Sequence, residues 1–75
     1  MDLFVERLSE LIKESGKMQK DICIDLGISR QKLSKWKTGY NDPSLDEIIV
    51  IADYFKVSTD YLLGADEYFE KKINI

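Results

Sequence analysis

Residues 19–39, QKDICIDLGISRQKLSKWKTG, read as two short helices joined by a tight turn. Ile22, Cys23 and Leu26 fall at i, i+1 and i+4 and give the first helix one apolar side. Gly27 supplies the positive φ that a sharp reversal needs, because it has no Cβ to clash. Ile28 fills the turn, and Ser29 is placed to cap the next helix by accepting a backbone N–H. The second helix is predicted over residues 30–38, with Gly39 at its C-terminal stop.

Leu33 and Trp36 point one way on this second helix, about 60° apart at roughly 100° per residue, and form its only apolar side. Gln31, Ser34, Lys35 and Thr38 point the opposite way, with Arg30, Lys32 and Lys37 on the flanks. One face is therefore anchored in a core, while the other offers cationic and hydrogen-bonding groups with no acid among them. Arg30 and Lys32 sit in the first turn, at the positive end of the helix dipole. An incoming anion would relieve that mildly unfavourable placement.

A helix, a glycine turn and a polar, basic second helix form the helix-turn-helix layout of DNA-binding proteins. The chain resembles the phage Cro and lambda-repressor-like helix-turn-helix proteins, the XRE type, over about residues 4–64. The matching positions are Gln19, Ile22, Cys23, Leu26-Gly27-Ile28-Ser29, Leu33-Ser34-Lys35-Trp36 and Gly39. Pro43-Ser44-Leu45, Ile48, Ile51-Ala52 and the run Val57-Ser58-Thr59-Asp60-Tyr61-Leu62-Leu63-Gly64 match as well. The downstream run makes the resemblance specific, since a bare helix-turn-helix pattern is a weak signal.

The resemblance implies that Gln19, opening the first of the two helices, bonds a phosphate. It also places Arg30, Gln31 and Lys35 in a major groove, with Ser34 beside them as a further base contact. Arginine suits guanine and glutamine suits adenine, because each presents a matching pair of hydrogen-bonding atoms. Lys20, Lys32, Lys37, Thr38 and Asn41 are assigned to backbone phosphates, with Lys17 a weaker addition. Two positions depart from the family pattern. Many relatives join the first and third helices by an arginine–glutamate pair, and Ile12 and Lys37 stand there instead. The expected consequence is that Ile12 joins the core while Lys37 reaches outward along its aliphatic stem.

The 75 residues allow one domain with one small core, and an apolar fraction of 44% is enough to build it. One cysteine excludes an intrachain disulfide, and the absence of histidine excludes His-based catalysis and most zinc sites. Cys23 is expected as a small buried hydrophobe. There is no nucleophile elbow, glycine-rich phosphate loop or metal-ligand cluster, so neither an enzyme nor a cofactor is expected. The charged N-terminus MDLFVERLSE has no signal-peptide core, and the longest apolar run is too short for a membrane span, so a cytoplasmic protein is expected.

The net charge of −3 runs against the basic character expected of a DNA-binding domain. Its distribution resolves part of that. Residues 17–40 carry six cations against Asp21 and Asp25, whereas residues 41–75 carry three lysines against eight acids. The chain is polarised, with the positive charge on the helix-turn-helix.

Elsewhere, Phe4, Leu8, Leu11 and Ile12 form the core stripe of a first helix ending at Ser15-Gly16. Met18 stands where the family usually has threonine, which leaves the next helix poorly capped. Ser44 and Glu47 have capping-box spacing, opening a helix to about Phe55 whose inner face is expected to hold Leu45, Ile48, Ile51, Ala52 and Phe55. Ser58 caps a short fifth helix that Gly64 stops. The expected architecture is all-α: a five-helix lambda-repressor-like domain over residues 1–64, with residues 65–75 as a C-terminal extension.

Tyr68, Phe69, Ile73 and Ile75 make that extension apolar enough for a homodimer contact, with Leu62, Tyr54 and Val50 nearby; docking on its own domain is the alternative. The expected function is a sequence-specific DNA-binding regulator, a repressor because a short chain leaves no room for a sensor, binding double-stranded DNA as a homodimer. The alternative is a protein-binding module, an antitoxin or an adaptor, using the acidic C-terminal face.

Overall fold

The computed structural model describes residues 2–67, and every regular element among them is helical. The order is α1 (Asp2–Ser15), α2 (Gln19–Leu26), α3 (Arg30–Thr38), α4 (Leu45–Phe55) and α5 (Thr59–Leu63). Residues 65–67 are helical again. Tyr68, Phe69, Ile73 and Ile75, the expected dimer contact, lie outside the described residues. No described helix is long and apolar enough to cross a membrane.

Local chemistry sets these boundaries. Ser29, Ser44 and Ser58 each hold the extended N-cap conformation and accept a backbone N–H from the residue three further on. At α4 the return bond also forms, from the Ser44 N–H to Glu47 Oε1 at 2.8 Å, which completes the capping box. Met18 precedes α2 with no side-chain cap. Glycines in the left-handed region close α2, α3 and α5, but Lys56 closes α4 at φ 59°. No breaker residue announces that last stop.

Five helices contribute to one core. Phe4, Leu8 and Ile12 enter from α1, Ile22 and Cys23 from α2, Leu33 and Trp36 from α3, Ile48, Ile51 and Ala52 from α4, and Leu62 from α5. Ile12, the departure from the family pattern, is buried, while Lys37 is half-buried. Two expectations need correction. Leu45 is 71% exposed rather than inward. It opens the first turn of α4, off the centre of the apolar stripe and beyond the reach of the core. Leu62 is fully buried and so has no surface to lend to a dimer contact, whereas Val50 on α4 is exposed.

Arg7 joins α1 to the end of the domain. Its guanidinium donates to the Tyr61 carbonyl in the last turn of α5, to Asp66 Oδ1 at 2.8 Å and to Glu67 Oε1 at 3.2 Å. It also lies 4.3 Å from the centre of the Tyr61 ring. A cation at a helix C-terminus satisfies carbonyls that have no partner within the helix. The hydrogen bond from Arg7 holds the Asp66 carboxyl below its ordinary range.

A carboxylate with a depressed folded pKa adds stability above its unfolded value, about 4, and loses it as pH falls through the folded value. Asp25, bonded by Tyr54, and Glu47, bonded by Lys32, are shifted the same way. Thermal melts are therefore expected to hold level from neutral pH to about 5 and to weaken below about 4. Asp66→Asn should make that acid loss shallower, as read by circular dichroism across the same range.

Candidate nucleic-acid interface

α3 is fixed at both ends and along one side. Ser29 Oγ accepts the Lys32 N–H at 3.0 Å, and the Ile28 N–H returns to the Cys23 carbonyl at 3.0 Å across the turn. The Cys23 thiol donates to the Ser29 carbonyl at 3.8 Å, so this cysteine packs and steadies the turn. Leu33 and Trp36 are 1% and 3% exposed, which sets the rotation of the helix. Arg30, Gln31, Ser34, Lys35 and Thr38 are consequently all exposed.

These side chains are not equally available. Lys35 Nζ lies 5.7 Å from the centre of the exposed Tyr40 ring, a contact that leaves its charge open to solvent. The Thr38 hydroxyl lies 3.0 Å from the Ser34 carbonyl and 3.3 Å from that of Lys35, so its proton is committed within the helix. Its oxygen can still accept, but a phosphate needs a donor. Asn41 is exposed beyond Gly39, its backbone N–H held by the Lys35 carbonyl at 3.3 Å. Gln19 and Lys20 stand exposed at the opening of α2, the helix without a side-chain cap.

Two of the six cations in residues 17–40 are engaged elsewhere. Lys17 Nζ donates to the Tyr54 hydroxyl at 3.0 Å and to Asp25 Oδ2 at 3.4 Å, and that hydroxyl donates to the same carboxylate. Lys32 Nζ forms an ion pair with Glu47 Oε2. Among the described residues, Lys20, Arg30, Lys35 and Lys37 have no acidic partner. The free positive charge is thus concentrated on α3 and the start of α2. Neither ion pair is visible from helical periodicity, because Lys32 and Glu47 lie on different helices and Lys17 lies in the connection before α2.

A family model described as helix-turn-helix matches residues 8–62. Among curated proteins, the HTH-type transcriptional regulator ImmR of Bacillus subtilis (strain 168) is 38% identical over 66 residues, 88% of this chain and 52% of ImmR. The HTH-type transcriptional activator BcrR of Enterococcus faecalis is 31% identical over 64 residues, 85% of this chain and 31% of BcrR. The cryptic phage CTXphi transcriptional repressor RstR of Vibrio cholerae is 32% identical over 59 residues, 79% of this chain and 53% of RstR. The chain thus spans about half the length of ImmR and RstR and about a third of BcrR. No solved structure matches significantly. The matched residues run from the middle of α1 to the end of α5, and the chain belongs to the XRE-type, Cro-like helix-turn-helix family.

Proposed function

We propose that this chain is the sequence-specific DNA-binding unit of a transcriptional repressor, inserting α3 into the major groove of a two-fold operator as a homodimer. The observation that carries this reading is the exposed face of α3, where Arg30, Gln31, Ser34 and Lys35 stand clear of the core with no acid among them. In this reading those four meet base edges. Gln19, Lys20, Lys37 and Asn41 take backbone phosphates at the margins, and Lys32 does so once it leaves Glu47. Thr38 contributes as a phosphate contact only if its hydroxyl turns away from the Ser34 carbonyl.

The relatives' names support regulation of transcription. They include both an activator and a repressor, so repression rests on the simplest action open to a small domain, occupation of a promoter. The dimer is assigned to the extension at residues 65–75.

Selection of bound sequences from a random duplex pool, at low and at physiological salt, tests the proposal. A palindrome with half-sites about one helical turn apart is the expected result. Binding that is blind to sequence and vanishes with salt would reflect only counterion release onto a basic patch. That outcome would replace the repressor with the protein-binding module. On the recovered site, Arg30→Ala or Gln31→Ala should each lose about 1–3 kcal/mol of binding with an unchanged thermal melt. An equal loss on every sequence would assign them to phosphates.

A further inference from the structure

Lys32 and Glu47 pair on the wall of an open cleft of about 270 Å³ between the helix-turn-helix turn and α4. Leu26, Ile28, Trp36 and Val50 also line it. The two carboxylate oxygens of Glu47 do different work. Oε1 accepts the Ser44 N–H and caps α4, while Oε2 holds the Lys32 ammonium.

A capping box is served by glutamine as well as by glutamate, so the cap does not need the charge. The charge acts on Lys32. That lysine leaves α3 on the side facing α4, with its ammonium 5.7 Å from the centre of the Trp36 ring. Its side chain is nevertheless 46% exposed, so the ammonium is held back without being sealed away.

We propose that Glu47 is a positioning residue for DNA binding, competing with the phosphate backbone for the Lys32 ammonium. This inference rests on the reading that α3 enters the groove. The carboxylate keeps one cation off the binding face until a phosphate draws it across, and so lowers affinity equally for all sequences. A phosphate contact carries no base information, so releasing Lys32 strengthens binding without changing the preferred site.

Glu47→Gln isolates the effect, because it keeps an acceptor for the Ser44 N–H while removing the charge. Binding of the variant to the selected operator and to a random duplex is expected to tighten by about two- to fivefold at low salt, the range of an exposed ion pair. The gain should disappear in the Lys32→Gln background. Asp46→Asn makes the same change of charge in the same cleft and should give no comparable gain. No tightening in Glu47→Gln, a gain that persists without Lys32, or an equal gain from Asp46→Asn would each overturn the inference.

The wild-type chain gives a second readout that needs no stable variant. Lys32 holds the Glu47 carboxyl below its ordinary range. On saturation with duplex, its midpoint in a carboxyl carbon NMR titration should move up, and an unmoved midpoint would also overturn the inference. The underlying reading fails separately, if Arg30→Ala and Gln31→Ala bind like wild type. Weakened binding by those two beside an inert Glu47→Gln would defeat this inference alone.

Discussion

Trp36→Ala is expected to destabilise the fold by about 3–5 kcal/mol, a large share of what a domain of this size has. Trp36 is 3% exposed and packs in the same core as Leu33, Ile48 and Ile51. Truncation removes the largest side chain in that core and leaves a void that helices anchored at several points cannot close. A single domain of this size has a total stability of only about 4–11 kcal/mol, at roughly 0.05–0.15 kcal/mol per residue. One such loss therefore removes between about a quarter and all of it. Leu33→Ala, at 1% exposure on the same side of α3, should cost about 2–5 kcal/mol. Urea titration followed by circular dichroism reads both. A cooperative transition unchanged by either variant would show that α3 is rotated differently, with another side chain facing the core.

That rotation is also what gives α3 its functional face, so the experiment bears on more than stability. The side chains proposed for DNA are presented because Leu33 and Trp36 are not. Loss of DNA binding in Trp36→Ala should follow the unfolded fraction, whereas loss in Arg30→Ala should occur in a folded protein. The comparison separates a residue that supports the surface from one that belongs to it.

Much of this was legible from residues close in sequence. Ser29, Ser44 with Glu47, and Ser58 cap donors only three residues away, and α3 needs just nine residues to show its apolar and polar sides. The helix-turn-helix and its exposed face follow from these short-range patterns. Arg7 was not legible in the same way. Its acceptors lie 54 to 60 residues along the chain, and a charged residue in an amphipathic helix ordinarily reads as solvated surface. Periodicity also overlooked the engagement of Lys32 and Lys17, because both partners lie on other helices. Leu45 failed for the converse reason. Helical spacing gives a direction but not how far along its axis a helix remains covered. The end of α4 was placed correctly at Phe55, although the left-handed residue there is Lys56, which propensity would not select.

Gly64→Ala is expected to cost roughly 2–5 kcal/mol, from two terms that can be measured apart. Gly64 has φ +74°, where an L side chain is strained by about 1–2 kcal/mol. A Cβ there would also stand 2.6 Å from Leu3 Cδ1 and 3.1 Å from Leu3 Cβ. Rotation of the Leu3 side chain relieves the first contact but not the second, since its Cβ is fixed to the α1 backbone. The first turn of α1 must therefore move away from α5, at an overpacking cost of about 1–3 kcal/mol. Gly27 provides the control, because its φ is +69° with nothing within 4 Å of the added atom. Gly27→Ala should show the dihedral cost alone. Urea unfolding of both variants thus yields the steric term by difference, and equal losses would show that Leu3 does not crowd Gly64. Leu3→Ala in the Gly64→Ala background relieves only the Cδ1 part of that term. Incomplete rescue would place the remaining strain in the α1 backbone, beside the Arg7 clamp that secures the end of the domain.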